Sequence, residues 1–173
     1  MNAYRDRLLG LLGTDSPYDV LEATPGRVAA LVERLGDEGL SRRFGPGKWT
    51  GREVVAHLAD VEIGTGFRIR QMVSEPDHVV QPYDQDAWAR PYPALDGHIA
   101  VRALAALRAW NLSYYRALAP PDLARVAMHP ERGEESVEML IRMQAGHDRN
   151  HLAQLEQIAG DAPPAGKGET PPG

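Results

Sequence analysis

The chain has 173 residues, 43% hydrophobic and 25% charged, with six histidines and no cysteine. That length suits one domain with a single core, and the missing cysteine excludes disulfides, thiolate metal sites and a cysteine nucleophile, so any metal ion must be held by histidine and carboxylate. Nineteen Lys and Arg against 24 Asp and Glu leave a net charge of −5, which gives no long-range attraction to nucleic acid or to an anionic membrane.

In chain order, a short amphipathic turn or two over residues 3–12 comes first. A first long helix is expected from Pro25, at the first helical position behind Thr24 as N-cap, through Val28, Leu31, Val32 and Leu35 to a stop at Gly36. A second opens at Thr50, where Thr50-Gly51-Arg52-Glu53 reads as a capping box, and carries Val54, Leu58, Val61, Ile69 and Met72 on one stripe before Pro76. A third covers Asp96 to Leu118, with Leu104, Leu112 and Tyr115, and stops at Pro120-Pro121. Residues 125–133 form a small hairpin at most. A fourth helix, about Glu135 to Ala159, carries Leu140, Met143 or Gln144, Leu152, Leu155 and Ile158. The Gly- and Pro-rich tail over 161–173 is expected to be disordered.

The second and third helices are separated by about 20 residues, far more than antiparallel neighbours need, so this link is expected to return along the bundle as a crossover. The fold expected is an all-α, up-down-down-up four-helix bundle, one domain over residues 1–160. No apolar run approaches the roughly 20 residues of a membrane span, and a cytoplasmic location is expected.

His147 and His151 lie four residues apart on the fourth helix, hence on one face. That face is the stripe of Leu140, Leu155 and Ile158, so both imidazoles point into the core, where unpartnered polar rings are costly. His57 shares the inward face of Val54 and Val61 on the second helix. Three inward histidines from two helices of a bundle form a metal site with an open fourth position, the arrangement of a catalytic rather than a structural centre. One divalent transition ion per chain is expected, Zn²⁺ or Ni²⁺ first and Fe²⁺ as a further fit. His78, His98 and His129 default to the surface, with His129 the best placed of these to line a pocket. His147-Asp148-Arg149-Asn150-His151 lacks the Glu of a metalloprotease motif, and Gly45-Pro46-Gly47-Lys48-Trp49-Thr50 lacks the strand and spacing of a phosphate loop.

Three stretches resemble the DinB/YfiT-like family of metal-dependent bundle proteins: Lys48-Trp49-Thr50 through Glu53 to His57 and Asp60, the crossover from Pro82 to Ala89, and Ala145 to His151 with Gln154. The resemblance covers about residues 20–160. It implies the same bundle, metal ligation at His57, His147 and His151, frequent dimers, and transferases or isomerases using low-molecular-weight thiols among characterised relatives. On that basis the chain is expected to bind a small-molecule substrate, with a low-molecular-weight thiol as the cosubstrate that the resemblance implies, and to form a homodimer, with no nucleic-acid or membrane partner. A non-catalytic metal-bound binding module and a metal-dependent hydrolase are the alternatives. Asp60 and Gln154 are candidates to orient the imidazoles. Asp60, Glu53 and the loop acid Asp84 are the candidate bases for a hydrolase. Gly64 leaves room for a ligand or for close packing. Tyr83, Asp84, Asp86 and Trp88 are candidates for a lid, with Trp88 rather a plug for the core.

Overall fold

In a computed structural model, which describes residues 2–160, the chain begins with helix α1 (Ala3–Leu12), capped by the Asn2 side chain, which accepts from the Arg5 amide at 3.1 Å. The expected tail at 161–173 lies outside the described residues. Helix α2 (Pro17–Leu40) starts earlier than Pro25: Ser16 is its N-cap, accepting from the Asp19 amide at 3.3 Å, and Pro17 takes the first turn. Pro25 therefore sits inside the helix. Having no N–H, it leaves the Leu21 carbonyl without its helical donor, and Arg108 Nη1 donates to that carbonyl instead, at 2.7 Å. Thr24 is buried and donates back to the Val20 carbonyl at 2.8 Å rather than capping. Gly36 bends the helix instead of stopping it, at φ 58° and ψ −177°, a conformation a β-carbon would strain.

Helix α3 (Gly51–Ser74) carries the expected capping box, with both the Thr50 and Glu53 halves formed. The crossover follows, holding a short helix α4 (Gln85–Ala89) and a 3₁₀ turn over Tyr92–Ala94 before α5 (Gly97–Ala117). One turn, α6 (Pro120–Leu123), leads to strands β1 (Val126–His129) and β2 (Gly133–Ser136), and α7 (Val137–Ala159) closes the bundle. The hairpin is thus real, antiparallel with Val126 opposite Ser136, and the crossover is tied to it: the Val80 amide donates to the Met128 carbonyl at 2.9 Å and the Met128 amide to the His78 carbonyl at 3.2 Å.

Cross-helix partners fix the direction of each helix. Arg52 at the start of α3 donates to the Leu95 carbonyl just ahead of α5, and Glu62 further along α3 meets Arg108 and Asn111 further along α5, so these two run parallel. Arg27 of α2 pairs with Glu156 of α7, and Leu21 shares Arg108 with Asp148, so α2 and α7 are parallel too. His57 meets His151 and His147 while Glu62 meets Gln144, making α3 antiparallel to α7. This is the up-down-down-up order expected. Among the described residues no helix is long and apolar enough to cross a membrane.

Two apolar layers fill the interior. Val28, Val32, Leu58, Leu104 and Leu155 belong to one, and Leu12, Leu21, Ile69, Leu112 and Ile141 to the other. On α3, α5 and α7 a fully buried polar cluster falls between them. Arg108 donates from Nε to Glu62 at 2.8 Å and in a fork to Asp148 at 2.7 and 3.1 Å. Asn111 and Gln144 add donors to Glu62 at 3.0 and 2.5 Å. Burial works against the Arg108 charge, but the Asp148 and then the Glu62 carboxylate raise its pKa above the ordinary range.

Arg108→Met removes the cation from between two buried carboxylates and the side-chain donor to the carbonyl that Pro25 leaves free. We expect a loss of about 3–5 kcal/mol of folding stability, measured by urea unfolding at pH 7.

Candidate metal centre

Helix periodicity brings the three histidines together from α3 and α7. His57 Nε2 lies 3.0 Å from His147 Nε2, which in turn lies 3.0 Å from His151 Nε2, and one ligand nitrogen from each falls within 4.8 Å of the other two. All three rings are buried. Proton counting shows what this arrangement suits. His151 Nδ1 faces the Gln154 Oε1 at 2.7 Å and so carries its proton there, leaving Nε2 as a bare lone pair. His147 Nε2 has one proton at most to offer, yet faces two nitrogens, so hydrogen bonding alone leaves one contact between lone pairs. A shared cation satisfies all three at once. The 3.0 Å spacings are near the roughly 3.4 Å expected of two imidazole nitrogens each about 2.1 Å from one tetrahedral ion.

Burial pushes the His57 and His147 pKa values well below the ordinary imidazole range, with neighbouring imidazoles adding to it; burial likewise pushes His151 down to about 4 against the opposing hydrogen bond from Gln154. The rings are therefore neutral at pH 7, the form that ligates. Trp49 packs on them, its ring 4.8 Å from that of His57 and stacked at 6.5 Å from that of His151.

His57 and His147 form part of the floor of a cavity of about 670 Å³. Val61, Leu140 and Met143 make its apolar lower wall, and Gln144 lines it as well, so both residues left open on the α7 stripe face this space. The upper wall comes from outside the four long helices: Tyr4, Arg7 and Leu8 of α1, Pro82 and Tyr83 of the crossover, and His129, Glu131 and Arg132 of the hairpin. Helix α1 comes this close because position 146 is glycine; a β-carbon there would collide with the Leu8 carbonyl.

Of the acids weighed from sequence, none reaches the imidazoles. Asp60 accepts from the Tyr92 hydroxyl at 2.7 Å, Glu53 is held in the capping box, and Asp84 is exposed and caps α4 through the Ala87 amide at 2.9 Å. Gln154 does orient a ring, that of His151. Gly64 makes room for Tyr83, whose ring would lie 3.1 Å from a β-carbon at that position. Trp88 does not plug the core but stacks on Tyr83 at 4.4 Å while remaining 37% exposed; Tyr92 fills the core instead. Asp86 is exposed. His98 stays partly exposed near Glu33, whereas His78 and His129 are buried, against the surface placement expected of them. His129 Nδ1 accepts from the Glu131 amide at 3.2 Å and its ring lines the cavity. Sequence reasoning passed over Tyr4, Arg68 and Glu131, which also line it. The signal for Arg68 was present: His57, Val61, Thr65 and Arg68 follow one another at helical spacing on one face of α3.

Comparison with known proteins agrees with this geometry. A family model described as the DinB superfamily matches residues 20–155. A protein of Oceanobacillus iheyensis named "Putative metal-dependent hydrolase" is 32% identical over 139 residues, covering 80% of this chain and 81% of its own. One of the same description from Bacillus mycoides is 30% identical over 141 residues, covering 80% of each chain. The solved structure of YfiT from Bacillus subtilis, described as a "probable metal-dependent hydrolase with an unusual four-helix bundle topology", superposes with a TM-score of 0.79 at 25% identity, covering 83% of this chain and 84% of that one.

The buried imidazoles set a pH dependence for the metal-free protein. Unfolded histidines take up protons below about pH 6.5, while the folded His151 does so only near 4 and His57 and His147 not before they too fall well below the usual range. The unfolded state binds more protons in that window, so stability is full above about pH 6.5 and falls as the pH drops toward 4. Thermal unfolding between pH 7 and 5 is expected to show the decline, with a shallower slope in a His147→Leu variant.

Proposed function

We propose that this chain, which belongs to the DinB superfamily, is a metal-dependent enzyme that holds one divalent transition ion at His57, His147 and His151 and acts on a small molecule bound in the cavity above them. The observation that carries this is the convergence of three imidazoles, two of which, His57 and His147, line that cavity. Zinc or nickel fits three neutral imidazoles, as does iron(II). When bound, such an ion supplies Lewis acidity, holding a thiol as thiolate or making water acidic enough to act as a nucleophile near neutral pH.

The chain's own residues set the conditions for that chemistry. Gln154 fixes the His151 tautomer by accepting its Nδ1 proton at 2.7 Å, so that Nε2 faces the centre. Trp49 limits rotation of the His57 and His151 rings. Val61, Leu140 and Met143 keep the floor apolar, which strengthens electrostatic interactions made there.

For the nucleophile, we favour a low-molecular-weight thiol brought by a cosubstrate. None of Asp60, Glu53 or Asp84 lines the cavity to deprotonate water, a thiolate needs no such base, and the chain has no cysteine of its own. The volume of about 670 Å³ has room for a cosubstrate beside an electrophile. A hydrolase is the second reading, favoured by the names of the relatives and by Glu131, the single carboxylate among the lining residues.

Elemental analysis is expected to find one transition ion per chain, lost in a His147→Ala/His151→Ala variant. Metal-loaded protein should consume an electrophile panel only when a thiol is present, and His57→Ala should abolish this. Turnover of esters or amides without any thiol would select the hydrolase, and metal binding with no turnover on either panel would leave a binding module. Chelation should stop turnover with helical circular dichroism retained, since the apolar layers do not depend on the ion.

A further inference from the structure

The cavity's charge does not balance. Its lining includes three arginines, Arg7, Arg68 and Arg132, against the single carboxylate of Glu131. Arg132 is neutralised by the buried Glu135, to which it donates at 2.6 and 2.9 Å. Arg7 has a neutral partner, Asn150 Oδ1 at 3.0 Å. Arg68 is partly buried and, among the described residues, has neither a hydrogen bond nor an ion pair. Burial and the nearby Arg132 charge push its pKa below the ordinary range, yet a guanidinium stays cationic throughout the physiological range. Two further donors stand unused on the same walls, for neither the Tyr4 nor the Tyr83 hydroxyl has a hydrogen-bond partner among the described residues. Partly desolvating a guanidinium and two hydroxyls around a space without pairing them is a cost that a bound anion would remove.

We propose that this cavity is a carboxylate-binding site, in which the guanidinium of Arg68, with the hydroxyls of Tyr4 and Tyr83, receives the carboxylate of a small organic acid whose reacting end lies over the three histidines. The claim rests on the reading of the cavity as the substrate site and gives that substrate a chemical class. Apart from the charge of an ion at the histidines, the lining side chains suit a monoanion: with Arg132 paired to Glu135, Arg7 and Arg68 stand against Glu131, an excess of one positive charge. A phosphate monoester, at about −1.5 to −2, would overshoot it. The planar guanidinium also matches a carboxylate in a two-point fork. Position selects the shape. Arg68 lies three helical turns along α3 from His57, on the same face through Val61 and Thr65, a rise of about 16 Å between the two Cα atoms. The acid group is thus remote from the reacting atoms and binds and orients rather than reacts.

The test uses the full-length protein, metal-free and zinc-loaded, titrated calorimetrically with 6-phenylhexanoate, with its neutral amide 6-phenylhexanamide and with 6-phenylhexyl phosphate. The carboxylate is expected to bind about tenfold or more tightly than the amide, Arg68→Gln to erase the difference, and Arg68→Lys to keep part of it. Because Arg68 has no hydrogen bond or ion pair to lose among the described residues, both variants should unfold at or above the wild-type temperature, which separates this outcome from misfolding. The preference should persist in metal-free protein and in His57→Ala, so failure of the metal or nucleophile assignment leaves it standing. Equal affinity for acid and amide, including no binding of either, overturns the proposal, as does a preference that survives in Arg68→Gln. Tighter binding of the phosphate ester than of the carboxylate overturns the choice of a monoanion.

Discussion

Everything in this bundle is registered on one buried cation. Arg108 reaches from α5 to Glu62 on α3, to Asp148 on α7 and to the Leu21 carbonyl on α2, so a single side chain touches each of the other three long helices. Apolar layers pack well in more than one register, because methyl groups do not specify which neighbour they meet. A forked ion pair does. Glu62 stands five residues after His57 on α3, and Asp148 directly follows His147 on α7, so holding the two carboxylates on one guanidinium also fixes where the imidazoles fall relative to one another. The net stabilisation of such a buried cluster is small, since desolvation opposes the Coulombic gain. What it gives this chain is position, held to within the few tenths of an ångström that converging ligands require.

The floor and the walls of the site are built in different ways. The floor is made by residues buried in two long helices and locked by the polar cluster below them. Beyond α3, which adds Thr65 and Arg68, the walls come from α1, the crossover and the hairpin. They are held by close approaches and a few hydrogen bonds: Leu8 against Gly146, Tyr83 against Gly64, and the crossover strand at Val80 against Met128. Glycine is needed at 146 and 64 because backbone and ring occupy the space a side chain would take.

This division explains what could be read from the sequence. Helix periodicity, the Thr50-Glu53 box and the proline stops are local signals, and they yield the bundle, its crossover and the inward face shared by His57, His147 and His151. Pro25 misled because the rule that places proline in a first turn assumes that the carbonyl four residues back has no other donor. Arg108 is that donor, distant in the chain, and no local pattern announces it. Asp60 misled similarly, being near His57 in sequence but claimed by Tyr92 from the crossover. His78 and His129 are polar residues in loops by sequence, yet pairing of the crossover with the hairpin buries both. Their environment is a property of two segments meeting, which neither segment encodes alone.

The same division bears on how such a scaffold carries chemistry. A three-histidine floor on a rigid bundle can serve any reaction that needs a nucleophile activated by an ion, whether thiol or water. It says little about which molecule is chosen. Choice lies with groups that tertiary structure has left unsatisfied, because a side chain already paired within the protein has nothing to offer a ligand. By that criterion the paired Arg132 and the capping Asp84 are structural, although both are charged. Arg68 differs from them in having neither a hydrogen bond nor an ion pair among the described residues. That makes it a cost to the folded protein when empty and a source of selectivity when filled, the usual relation between a binding group and the stability of the fold that displays it.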